Sequence, residues 1–237
     1  MSLLARFLFI ASLVSSLSGC GGFELVGNGT SVSQTREIGA FKKLEVSGGV
    51  QVTFATGPRT VKVTADENLI DQVETTVRGD TLVVRLKHPV ADPHGIKATL
   101  SNEVLEGLML SGTSGFVGPA TAVSNFEVGA SGGSTVELSD LIATDVSIDA
   151  SGGSEVTFTR GTTVRLSVAA SGGSKVVSHG FVAEAGVVEV SGGSSVCVNC
   201  SKSIAGNASG GSTLTVTGSP QTTQVNSSGG SRLIKEN

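Results

Sequence analysis

Between residues 111 and 237 the chain alternates apolar and polar positions around a recurring four-residue break. The break reads SGGS, and its first serine falls at Ser111 (as SGTS), Ser131, Ser151, Ser171, Ser191, Ser209 and Ser228. The spacings are 20, 20, 20, 20, 18 and 19 residues. Before the break stand Phe126, Val128 and Ala130, then Val146, Ile148 and Ala150, then Leu166, Val168 and Ala170. After it stand Val136 and Leu138, Val156 and Phe158, Val196 and Val198, Leu214 and Val216. An earlier copy, Ser47-Gly48-Gly49-Val50, has Leu44 and Val46 before it and Val52 and Phe54 after it. Period two means strands with one buried face.

Two short strands per repeat at a constant offset predict a coil. Hairpins reverse direction and would not demand the same side chain at the same offset in every unit. Stacked parallel coils do, because equivalent positions lie about 4.8 Å apart along the axis. The fold class expected is therefore all-β, a parallel β-solenoid (β-helix), taken as right-handed, with coils of about 20 residues. The glycine pair marks a corner, by removing a side chain from the bend and permitting positive φ. The fourth position keeps inward parity, so its serines are expected to stack as a hydroxyl ladder.

The pattern divides the chain. Residues 37–110 read as an N-terminal β region that begins and caps the solenoid, and 111–237 as the repeat proper, with 37–235 one continuous domain. Within the first part, VKVTA, VETTVR, TLVVRL and IKATLS are strands, with a helical turn at Glu67–Asp71. Arg78-Gly79-Asp80 is hairpin-turn chemistry between two of them. The closing SSGGSRLIKEN ends in charge, which suits a second cap.

Residues 1–19 have signal-peptide anatomy: Arg6, an apolar run from Phe7 to Val14, then small residues. Leu17-Ser18-Gly19-Cys20 resembles the bacterial lipobox. That resemblance implies cleavage before Cys20, diacylation of its thiol, and a membrane partner through the lipid anchor. Gly21 follows rather than Asp, and by resemblance to the enteric lipoprotein sorting rule this implies the outer membrane within the cell envelope. Residues 20–36, rich in Gly, Ser, Thr and Asn, are expected to be a flexible tether.

A formal net charge of −4 gives no basic footprint, and without Trp or Tyr there are few platforms for bases or sugar rings. No nucleic-acid partner and no cofactor are expected. In an oxidising compartment Cys197 and Cys200 admit a local disulfide, two free thiols, or a metal or redox role.

The run FKKLEVSGGVQVTF, then VKVTADENLIDQVETTVRGDTLVVRL, then serial ASGGS coils, is similar to the bacterial family known as putative auto-transporter adhesin, head GIN domain. The resemblance spans roughly residues 37–235. It implies a β-helical envelope protein, often a lipoprotein, with no activity specified.

Catalytic readings find little footing. SGGS lacks the Lys-Ser/Thr ending and the following helix of a P-loop, and it is not the Gly-x-Ser-x-Gly of a nucleophile elbow. Calcium nonapeptides place aspartate where serine stands here. A β-helix lyase or glycosidase needs carboxylates clustered on one outer face. The column two residues before the serine reads Gly129, Asp149, Ala169, Glu189, and the column six after reads Glu137, Thr157, Val177, Cys197. Neither is acidic throughout. Asp66, Glu67, Asp71 and Glu74 read as a solvated face, and His88, His94 and His179 as surface residues.

The expected function is that of a non-catalytic, lipid-anchored envelope binding protein with a glycan or an envelope protein as ligand. The alternatives are a structural or envelope-stress accessory protein and, behind it, a carbohydrate-active enzyme. Self-association through the end coils is a further expectation.

Overall fold

The computed structural model describes residues 25–92 and 95–236. The signal peptide, Cys20 and His94 lie outside them.

Parallel stacking is realised throughout the repeat, at a 20-residue offset in the first coils and at 18 and 19 residues in the last two. One face of the coil is built by β8 (Gly107–Leu110), β10 (Ala122–Ala130), β12 (Leu141–Ala150) and β14 (Gly161–Ala170), then the second halves of β15 (Lys175–Val190) and β16 (Ser195–Ala208), and finally β18 (Thr222–Ser227). Here Val146 lies beside Phe126 and Leu166, and Ile148 beside Val128 and Val168. This is face A. After the corner a second face, B, stacks β9 (Gly115–Pro119), β11 (Thr135–Ser139), β13 (Glu155–Phe158), the first halves of β15 and β16, β17 (Thr213–Thr217) and β19 (Arg232–Lys235). Within β12 the burial alternation slips between Ala143 and Val146, and pairing skips Thr144. That bend sets off a third, shorter face, C, carrying Leu141–Thr144 and its equivalents.

The inward columns form one continuous core. Val136, Val156, Val176, Val196 and Leu214 are fully buried, as are Leu138, Phe158 and Val198. Ser178 falls in the latter column, between Phe158 and Val198, and donates its hydroxyl to Cys197 O at 3.1 Å, which makes its burial tolerable. Phe158 packs on Phe181 with ring centroids 5.0 Å apart.

The corner geometry refines the expected role of its residues. Both glycines of each pair in the repeat lie exposed on the outside of the bend, and both have left-handed backbone: φ is +63° at Gly152 and +84° at Gly153. A Cβ on Gly152 would sit 3.1 Å from Gly132 N in the coil beneath, whereas one on Gly153 would meet nothing within 4 Å. The first glycine is thus fixed by close axial approach as well as by φ, the second by φ alone. In the SGTS copy Thr113 takes the second place at φ +65°.

The inward serines differ from expectation in their bonding. Ser154 donates to Ala130 O at 2.9 Å and Ser174 to Ala150 O at 3.0 Å, carbonyls of the coil beneath. Ser134, Ser212 and Ser231 repeat the bond to Leu110, Val190 and Ala208. Only Ser174 and Ser194 approach one another, at 3.5 Å. The corner carbonyl is fixed in space and already points up the axis, so these five hydroxyls reach the backbone rather than forming a ladder among themselves.

Before the repeat, β2 (Lys43–Val46) and β3 (Gln51–Thr56) form the earliest coil around Ser47–Val50 and stack on β8 and β9. On their other side lie β6 (Thr81–Leu86) and β7 (Lys97–Asn102), both parallel. These are covered by antiparallel strands: β5 (Val73–Arg78) on β6 through the Gly79-Asp80 turn, and β4 (Thr60–Asp66) on β7. Leu69 and Ile70, at the start of a 3-10 turn (Ile70–Gln72), are buried against this end of the core. A cap was expected here, and the helical turn lies slightly later than Glu67–Asp71.

The flexible tether is corrected for part of its length. Ser31–Thr35 form strand β1, antiparallel to β4, and Leu25 bridges to Val90. Asp66 and Asn68 hold the intervening turn by accepting from Gly29 N at 2.8 Å and Asn28 N at 3.0 Å. Small polar residues read as a linker because an edge strand needs only one partner and little apolar burial.

Candidate functional site

Residues singled out from the sequence are not brought together. Cys197 and Cys200 are free thiols on β16. Cys197 faces outward and Cys200 is buried, and three residue steps of extended chain separate them by about 10 Å. A bridge needs Cα atoms within about 7 Å and converging Cβ vectors, so the disulfide expectation is corrected. Desolvation pushes the Cys200 thiol up to about 11 and, with Glu236 nearby as the lesser cause, also raises Cys197, so neither thiol is activated. Among the described residues no group of three or more His, Cys, Asp or Glu could hold a metal ion. No helix among them is long and apolar enough to cross a membrane. Glu74 bonds Arg85 at 2.8 Å, which pulls its carboxyl below the usual range, and His88 and His179 are exposed.

The notable concavity is on face A. The column two residues before the corner runs Glu45, Met109, Gly129, Asp149, Ala169, Glu189, Asn207, Asn226, each beside the next. Small side chains in this column and in the next one (Ser147, Ser167) leave a trough. It comprises hollows of about 320 Å³ around Asp149, Ala169 and Glu189, about 500 Å³ around Ser147, Ser167 and Arg165, and about 320 Å³ around Glu45, Met109 and Asp149. Corner serines from Ser131 to Ser209 edge the trough with hydroxyls one coil apart.

Its electrostatics differ along its length. Several carboxylates pair with a cation of the neighbouring coil: Asp145 with Arg165 at the edge of the trough, and away from it Asp140 with Arg160 at 2.5 Å, Glu155 with Lys175 at 2.7 Å and Glu184 with Lys202 at 2.6 Å. Asp140 is held below the usual range chiefly by its Arg160 hydrogen bond, and Lys43 is raised chiefly by its hydrogen bond to Glu127. Glu45, Asp149 and Glu189 have no such cation among the described residues. Glu189 instead accepts from Asn207 Nδ2 at 2.8 Å, and Asn207 in turn from Asn226 at 3.1 Å.

Asp149 and Glu189 thus line one hollow, two coils or about 9.6 Å apart along the axis, with Ala169 between them. A search for an unbroken acidic column passes over them; the signal lies in alternate coils and in the absence of axial cations. Two carboxylates in one groove is the minimum for glycosidase chemistry. Here both are exposed on an open sheet, without walls that exclude water. The arrangement can accept hydrogen bonds from a hydroxyl- or amine-bearing ligand laid along the axis.

The family model described as putative auto-transporter adhesin, head GIN domain, matches residues 40–220. The chain belongs to this family. Among solved structures the GIN-domain chain resembles a putative adhesin from Bacteroides fragilis, with a TM-score of 0.82 and 14% identity over 90% of this chain and all of that one. A putative lipid binding protein from Parabacteroides distasonis aligns with a TM-score of 0.70 and 20% identity, again over 90% and 100%. A putative adhesin from Parabacteroides merdae gives 0.65 and 13% over 90% and 99%. At these identities the likeness is one of fold. No curated protein matches the chain. The GIN-domain solenoid is thus adhesin-like in family and in fold.

Proposed function

We propose that this GIN-domain protein is a non-catalytic binding protein of the cell envelope, anchored by lipid at Cys20, which holds its ligand in the face A trough. The observation that carries the reading is the trough itself. Coils stacked in register give a rigid floor of small side chains, and the carboxylates of Asp149 and Glu189 stand on it without counter-cations. A rigid solenoid face suits extended ligands, since binding costs little ordering of the protein. Hydroxyls and carboxylates select a polyhydroxylated or amine-bearing partner, a glycan before a flat apolar one. The adhesin-like family supports an envelope or surface location.

The experiment is a binding screen of the purified protein against arrayed glycans, peptidoglycan, lipopolysaccharide and lipid vesicles, with Ala169→Phe as the control. Ala169 is exposed at the centre of the trough, so Phe fills the hollow without touching the core. Binding that is lost in Ala169→Phe supports the proposal. Binding that survives the blocked trough, or catalytic turnover of a bound glycan, overturns it. Protease shaving of intact cells tests the surface: release of the domain fits an adhesin, and protection turns the reading toward a periplasmic accessory role.

A further inference from the structure

The hollow beside the carboxylates has a different chemistry. It opens at the bend between faces C and A, with a volume of about 500 Å³. Its floor is the buried column Phe126, Val146 and Leu166, and its far wall is Ala185 and Val187. Val187 is 52% exposed, so part of this wall is uncovered apolar surface. The charges at its rim cancel, because Asp145 is bonded by Arg165 and Glu127 by Lys43. The hollow is thus apolar and neutral, whereas the adjoining one around Asp149, Ala169 and Glu189 is acidic.

The two hollows share strands. Asp149 lies three residues along β12 from Val146, and Glu189 two residues along β15 from Val187. Three residue steps of extended chain span about 10 Å, a breadth that one flat pyranose ring with its equatorial substituents bridges. Ser147, Ser167 and Ala169 between them are small and exposed, so a ring can lie across. Along the axis Asp149 and Glu189 stand two coils, about 9.6 Å, apart. That is close to one disaccharide of an extended β-1,4-linked chain. In such a chain each ring is turned over relative to the last, so the 2-substituents of alternate rings point to one edge and the rest to the other. A polymer of N-acyl amino sugars laid along the axis presents an amide N–H and a 3-hydroxyl of alternate rings to Asp149 and Glu189. Both groups donate, and these carboxylates, with no cation among the described residues, accept. The intervening ring turns its acyl group toward the apolar hollow and its hydroxymethyl group toward the space over Ala169. An unsubstituted glucan offers hydroxyls at both edges and leaves the hollow without an apolar partner. A single acyl chain fills the hollow but has no two-coil repeat for the carboxylates.

We infer that the trough, taken as the binding site proposed above, recognises an N-acylated amino-sugar glycan, with Asp149 and Glu189 reading its donors and the bend hollow at Ala185 and Val187 holding its acyl groups. The occupant is the glycan strand of the bacterial cell wall, the polymer of this chemistry in the envelope compartment proposed for the protein.

Isothermal titration calorimetry of the full chain in detergent, with chitohexaose and cellohexaose, is the test, since the two share a backbone and differ at the 2-position. Chitohexaose is expected to bind roughly tenfold tighter. Val187→Ser, at a half-exposed position, should weaken chitohexaose roughly three- to fivefold and leave cellohexaose unchanged. Ala185→Phe, which fills the hollow, should bring the two to one affinity. Wild type should also co-sediment with purified sacculi, in competition with chitohexaose; chitohexaose binding without co-sedimentation overturns the cell wall as the occupant. Absent chitohexaose binding, equal affinity for the two oligosaccharides, or a preference that survives in both variants with circular dichroism showing them folded, overturns the sugar class. Ala169→Phe separates the failures. If a ligand from the screen is lost in Ala169→Phe while chitohexaose gains nothing over cellohexaose, the trough stands and only the sugar class falls. If binding survives in Ala169→Phe, the trough itself falls.

Discussion

Replacing Gly152 and Gly153 separately by alanine distinguishes the two reasons for the corner glycines. Both positions have left-handed φ, +63° and +84°. A side chain there costs roughly 1–2 kcal/mol, offset by about 0.4–1 kcal/mol from the stiffer unfolded chain. Gly153→Ala meets nothing else, so its net cost is about 1 kcal/mol. Gly152→Ala adds a Cβ 3.1 Å from Gly132 N, and the obstacle is backbone in a stacked coil, which cannot rotate away. Relieving such a contact costs about 1–3 kcal/mol more. Gly152→Ala should therefore destabilise by about 2–4 kcal/mol. With a urea slope of about 2 kcal/mol/M, the midpoint should fall by about 0.5 M for Gly153→Ala and by about 1–2 M for Gly152→Ala. Urea unfolding followed by far-UV circular dichroism reads both. Equal shifts, or a larger one for Gly153→Ala, would refute the claim that axial approach fixes the first glycine.

Three further outcomes are expected. Ser154→Ala removes the 2.9 Å bond to Ala130 O at a buried corner and should cost about 1 kcal/mol in the same assay. The raised Cys200 thiol, at about 11, favours the folded state fully below the unfolded thiol value near 8.5, and this contribution is lost as pH rises through about 11; wild-type stability should fall over that window by a few kcal/mol more than that of Cys200→Val. Palmitate labelling of the expressed protein should vanish in Cys20→Ala with expression retained, and labelling that persists would remove the anchor.

Most of the architecture was written in the spacing. Identical parity on both sides of each SGGS forced parallel stacking, and the register Val136 to Val156 to Val176 follows from it directly. What the spacing did not disclose depends on three-dimensional neighbours. Ser31–Thr35 looked like linker because polar edge strands carry no apolar signature. The serine hydroxyls were assigned to one another because the corner carbonyls, their actual acceptors, leave no mark in a sequence. The spacing of Cys197 and Cys200 suited a loop disulfide, but both lie on one extended strand, which turns their side chains to opposite faces. The trough was missed for a related reason. Asp149 and Glu189 sit in alternate coils, and their separation by Ala169 reads as a broken column until the stacking brings both to one hollow.

The account turns on the trough, and the direct test is equilibrium binding of the captured glycan or envelope component to the wild type, Ala169→Phe and Asp149→Asn/Glu189→Gln, with folding verified for each. The account predicts a measurable affinity for the wild type, its loss in Ala169→Phe, and a drop of tenfold or more in the double variant, about 1.4 kcal/mol. Equal affinity in all three proteins would contradict it.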